Sequence, residues 1–91
     1  MTVPERFLVH GRVQGVGYRW WTRREATRLG LTGTVRNLPD GTVEVTCSGT
    51  PDMLARFETA LRRGPPLSSV EAVVRSPGSP GDEVLDFEIV D

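Results

Sequence analysis

The sequence predicts an α+β fold in which two helices cover one face of an antiparallel sheet. Three observations carry that expectation. Segments with strand alternation and segments with helix periodicity succeed one another as β-α-β-β-α-β, with one extra short strand at the C-terminal end. A length of 91 residues leaves room for a single core, so residues 1–91 are expected to form one domain. The apolar and charged fractions, 37% and 25%, are those of a compact globular chain rather than a disordered one.

The first strand is expected from Phe7 to Val13, with Phe7, Val9, Gly11 and Val13 on one face and Leu8, His10 and Arg12 on the other. A glycine-bearing loop, Gln14-Gly15-Val16-Gly17, follows. Tyr18, Trp21, Glu25, Ala26 and Leu29 then recur at helical spacing, and Gly30 ends that helix. Trp20 and Trp21 are neighbours that point in different directions, so one is expected in the core and the other at the helix edge.

Gly33–Asn37 and Thr42–Cys47 flank Leu38-Pro39-Asp40-Gly41, whose Pro, Asp and Gly have the chemistry of a tight turn, and the pair reads as a hairpin. Thr50 is placed to cap a second helix with Pro51 at its first position, and Met53, Leu54, Phe57, Ala60 and Leu61 form its apolar face. Asp52 near the start and Arg62 and Arg63 near the end suit the helix dipole, and Gly64-Pro65-Pro66 stops it. Ser69–Val74 reads as a strand and Ser76–Gly81 as a loop. The last strand alternates Leu85, Phe87 and Ile89 with Asp86, Glu88 and Val90. This order is that of the ferredoxin-like split βαβ sandwich, a fold that serves many activities and assigns none.

Composition narrows the chemistry. One Cys and one His cannot build a zinc site by themselves, and Cys47 has no partner for a disulfide, so the chain is expected to need no metal or cofactor. Cys47 shares a face with Val43 and Val45 and is expected to pack. No apolar run approaches the roughly 18 residues of a membrane helix, and the N-terminus lacks a leader pattern, so a cytoplasmic, membrane-free protein is expected. The net charge is −1 with an uneven distribution: residues 1–40 carry +4 and residues 41–91 carry −5, and every cation is Arg. The first half favours anions.

Two places have the residue types for anion chemistry. Gln14, Gly15, Val16, Gly17, Tyr18 and Arg19 join a strand to a helix N-terminus, where unpaired amides and the positive dipole end converge on a site for phosphate or carboxylate. Arg19 adds a bidentate fork there. Taken alone, the spacing favours an ordinary strand-to-helix turn with a solvated Arg. Asn37 ends a strand before the turn, and its amide offers both a donor and an acceptor for fixing a water, or for bonding local backbone.

The segment Val9-His10-Gly11-Arg12-Val13-Gln14-Gly15-Val16-Gly17-Tyr18-Arg19 resembles the first signature of the acylphosphatase family. Gly33-Thr34-Val35-Arg36-Asn37-Leu38-Pro39-Asp40-Gly41-Thr42-Val43, continuing to Gly49, resembles the second, so the likeness spans almost the whole chain. The chain departs at Tyr18, where the family more often has Phe, and at Thr34, where an aromatic is usual. The resemblance implies metal-independent hydrolysis of acyl phosphates to carboxylate and inorganic phosphate. It also implies that Arg19 and the 14–19 loop hold the phosphoryl group while Asn37 orients the attacking water. With a single His and no evident general base, the substrate phosphate itself is expected to take the water's proton.

Two other readings stay open. One is a non-catalytic anion or acyl-phosphate sensor built on the same loop. The other is an RNA-binding ferredoxin-like module, which the aromatic-free strand Val43–Cys47 and the slightly negative charge disfavour. The expected partners are therefore a small acyl phosphate and its phosphate product, with no nucleic acid and a monomeric chain.

Overall fold

The computed structural model describes residues 1–79 and 85–91. Strand β1 (Val3–Arg12) runs through a loop into helix α1 (Tyr18–Arg28). The hairpin of β2 (Thr32–Asn37) and β3 (Val43–Gly49) follows, then helix α2 (Pro51–Arg63) and strands β4 (Ser69–Pro77) and β5 (Phe87–Ile89). The five strands lie in the order β4-β1-β3-β2-β5. β1 pairs antiparallel with β3 and β4, and β2 antiparallel with β3. β5 runs parallel to β2, so the expected antiparallel sheet becomes mixed at that edge.

Alternation decides which side of the sheet is covered. Phe7 and Val9 of β1, Val35 of β2, Val43, Val45 and Cys47 of β3, Val73 of β4 and Phe87 of β5 are buried with Leu54, Phe57 and Leu61 of α2 and Tyr18 and Ala26 of α1. Phe57 meets both Phe7 and Phe87 edge-on, with ring centroids 5.9 and 6.1 Å apart, which ties α2 to a central and an edge strand.

Helix α2 forms as its sequence dictates. Thr50 Oγ1 accepts from Met53 N at 3.3 Å, Pro51 occupies the first turn and Gly64 caps the end. Helix α1 buries Tyr18, Thr22, Glu25 and Ala26. Trp21 packs partly against the core, and Trp20 is 66% exposed. The expected inward face of α1 omitted Thr22, which is fully buried with its hydroxyl unpartnered.

Several strand ends differ from expectation. β3 continues past Cys47 to Gly49, and β4 runs past Val74 to Pro77, which lies opposite Glu5. β4 pairs only with β1, and an edge strand tolerates the missing N–H of proline. Leu85, expected inside the last strand, is 93% exposed and precedes a strand of only three residues. Residues 80 and 81 of the expected loop lie outside the described residues.

The uncovered sheet face is polar. Glu44 accepts from Arg6 Nε at 2.8 Å and Nη2 at 2.6 Å, and from Arg36 Nε at 2.7 Å. Burial alone raises the Glu44 pKa, but the two guanidinium groups outweigh it and hold the carboxyl below its ordinary value of 4.5. A group depressed on folding stabilises the fold above its unfolded pKa and stops doing so as pH falls through its folded pKa. Glu44→Gln is therefore expected to lower stability by about 1 kcal/mol near neutrality and by progressively less at acidic pH, as the wild-type carboxyl protonates. Urea midpoints at neutral and acidic pH check it, and an equal deficit at both would show that packing rather than charge is lost.

Candidate active site

The chain leaves β1 through buried Val13 and enters the loop Gln14–Gly17. Gly15 and Gly17 have φ of +75° and +77°, the left-handed region that L side chains avoid. A Cβ at either position would meet no protein atom within 4 Å. The glycines are thus needed for backbone conformation, and the space over the loop is open. Val16 anchors the loop by packing partly against the core.

Gly17 is also the N-cap of α1. It offers no side-chain hydrogen bond, and no acidic residue stands in the first turn. Helix α2 differs on both counts, with Thr50 as its cap and Asp52 in its first turn. The first amides of α1 and its positive dipole end are left without a side-chain acceptor, an arrangement suited to an anion. Tyr18 is 1% exposed, and its hydroxyl donates to Leu61 O at 2.8 Å, fastening the start of α1 to the last turn of α2. Burial pushes its phenol pKa up, so it stays a neutral donor. The hydroxyl that distinguishes Tyr18 from Phe is thus satisfied. Arg19 follows, half-buried in the first turn of α1.

Asn37 ends β2 opposite Val43. Its Oδ1 is buried and has no hydrogen-bond partner in the protein, a state shared among the described residues only by Thr22 Oγ1. The turn beyond it is tightly built: Leu38 N donates to Thr42 O at 2.9 Å and Gly41 N to Leu38 O at 3.1 Å. Asp40 Oδ1 accepts from Thr42 Oγ1 at 2.6 Å and from Thr42 N at 3.0 Å. These bonds, with a smaller effect from nearby His10, hold the Asp40 carboxyl below its ordinary range. Asp40 is the one carboxylate in that turn, and it is committed to the turn itself.

The two places are joined. Gln14 Nε2 donates to Leu38 O and to Thr42 O, each at 2.9 Å. One side chain therefore links the glycine loop to the hairpin that carries Asn37. Sequence reasoning valued Gln14 for its place in the loop and missed this role of its side chain. The bond crosses between segments distant in sequence, and no local pattern signals it.

Other candidates fall away. Cys47 is buried, and desolvation pushes its thiol up to about 12, far from a reactive thiolate. Thr34 lies on the uncovered sheet face with its hydroxyl 2.8 Å from that of Thr46, so the missing aromatic opens no gap in the core. A concavity of about 740 Å³ also lies on that face, lined by Arg6, Thr34, Glu44 and Thr46 among others, and includes none of residues 14–19 or Asn37. Its charged groups are already paired, Arg6 with Glu44 and Glu5 with Arg75, which leaves it little to offer a ligand. Among the described residues, no three His, Cys, Asp or Glu side chains gather as a metal site, and no helix is long and apolar enough to cross a membrane.

The family model described as Acylphosphatase matches residues 5–89. An acylphosphatase of Nitratidesulfovibrio vulgaris is 58% identical over 74 residues, covering 80% of this chain and 74% of that protein. One from Pasteurella multocida is 41% identical over 87 residues, covering 96% and 97%. The crystal structure of acylphosphatase from Bacillus subtilis superposes with a TM-score of 0.92 at 35% identity, covering all of both chains.

Proposed function

The chain belongs to the acylphosphatase family, and from that premise we propose that it hydrolyses acyl phosphates without a metal, with Arg19 and the 14–19 backbone holding the phosphoryl group and Asn37 orienting the water. The buried, unpartnered Oδ1 of Asn37 is the observation that carries this reading. A buried acceptor without a partner is costly, of order 1–3 kcal/mol, and is kept where the chemistry needs it. A water donating to that oxygen keeps a lone pair free for the phosphorus.

Phosphoryl transfer to water asks the protein for charge stabilisation and alignment more than for covalent chemistry. The amides of the loop and of the first turn of α1 face the phosphoryl oxygens, and the Arg19 guanidinium donates to two of them at once. The water forms the new P–O bond as the bond from phosphorus to the acyl oxygen breaks. The carboxylate leaves with the electron pair, so no acid is required. The water's proton passes to a phosphoryl oxygen, and a dianionic acyl phosphate yields one carboxylate and one dihydrogen phosphate. Two protein groups that a base mechanism would call on are otherwise committed, since Asp40 is bound within its turn and Cys47 is held protonated.

The direct test is hydrolysis of benzoyl phosphate, followed by its ultraviolet absorbance, in the presence of EDTA. Turnover that EDTA leaves unchanged is expected. No turnover with inorganic phosphate still bound would replace the enzyme by an anion sensor, and loss of turnover to EDTA would overturn metal independence.

A further inference from the structure

We infer that Gln14 is a positioning residue that sets the distance between the phosphoryl cradle and the water site by clamping the β2–β3 turn; the inference rests on the reading of Arg19 and Asn37 given above. The topology makes such a clamp necessary. The cradle is carried by β1 and α1, and Asn37 by the end of β2, but β1 and β2 are not neighbours, because β3 lies between them. The ladders therefore fix the two halves of the site to each other only indirectly.

Gln14 closes that gap. Its Nε2 carries two hydrogens, and both have acceptors, Leu38 O and Thr42 O, at 2.9 Å each. The same two carbonyls already close the turn, Thr42 O accepting from Leu38 N and Leu38 O from Gly41 N. A carbonyl oxygen has two lone pairs, so Gln14 takes the remaining capacity of each and completes the turn's hydrogen bonding. Leu38 is the residue after Asn37, and Gly15 is the residue after Gln14. The covalent path from the clamp to each half of the site is one residue long, and a shift of the turn moves Asn37 with little to absorb it. Displacements of about 1 Å at a reacting centre cost as much as 100-fold in rate.

The test uses Gln14→Met, which keeps length and loses both donors, with Gln14→Glu as a second isostere that faces the same carbonyls with acceptors. Each is measured with benzoyl phosphate, alone and combined with Asn37→Ala, below the melting midpoint of the least stable variant. The expected result is a kcat reduced roughly 10- to 100-fold in both, with KM and inhibition by inorganic phosphate within about twofold of wild type in the neutral Gln14→Met; the carboxylate of Gln14→Glu repels phosphate, so only its kcat is read. In the Asn37→Ala background, Gln14→Met should lower kcat no further, because the residue it positions is gone. A wild-type kcat in Gln14→Met while Asn37→Ala is impaired would overturn the clamp alone. Multiplying losses in the double variant, or a KM that rises as kcat falls in Gln14→Met, would likewise overturn it and assign Gln14 to the cradle or to general stability. A wild-type kcat in Asn37→Ala would overturn the proposed reading and the clamp with it.

Discussion

Arg19→Lys should lose roughly 100- to 1,000-fold in kcat/KM for benzoyl phosphate, with phosphate inhibition weakened as well. Lys keeps the charge, so a merely electrostatic role would leave most of the activity in place. What Lys cannot keep is the planar fork that donates to two phosphoryl oxygens in one geometry. The proposed role depends on such a fork: the left-handed glycines at 15 and 17 bring the chain into α1 without a side-chain cap, and Arg19 stands in the first turn beyond. An ammonium on a flexible stem would meet one oxygen and leave the charge developing on the others to the backbone. Arg19 is outside the buried core, so the melting temperature should hold. Near-normal kinetics in Arg19→Lys would remove Arg19 from the reaction, and a large fall in melting temperature would show a structural role instead.

The parts of this architecture that were legible in the sequence are those whose causes are local. Helix α2 shows its cap, its proline, its apolar stripe and its stop within one stretch of chain, and it forms from Pro51 to Arg63. The hairpin follows from the turn chemistry of Pro39, Asp40 and Gly41, and the two signature segments contain both Arg19 and Asn37, the residues to which the proposed reading gives the chemistry. Features that depend on distant partners were not legible. The parallel pairing of β5 with β2 and the exposure of Leu85 depend on where the chain returns to the sheet, which alternation does not report. Pro77 continues β4 only because that strand lies at an edge. Thr22 is buried by its packing environment rather than its polarity. The Gln14 clamp is the functional case: an amide side chain beside two glycines looks like loop, and only the arrival of the turn carbonyls gives it a task.

Asn37→Ala should lower kcat roughly 100- to 1,000-fold while inhibition by inorganic phosphate changes by no more than about twofold. The asymmetry follows from where the interaction acts. A water held for in-line attack matters on the way to the transition state, whereas bound phosphate needs only the cradle and Arg19. Stability should respond in the opposite sense. Asn37 Oδ1 is buried without a partner, so deleting it removes an unmet desolvation cost and breaks no hydrogen bond of that oxygen within the protein. The melting temperature is therefore expected to hold or rise while turnover collapses, the pattern of a residue retained for chemistry at the expense of the fold. Asn37→Asp separates positioning from charge: its carboxylate still accepts from a water but repels the phosphoryl group, so KM should rise as kcat falls. Equal losses of turnover and phosphate affinity in Asn37→Ala, with a lowered melting temperature, would instead mean that the side chain holds the hairpin together and that the water is placed by another group.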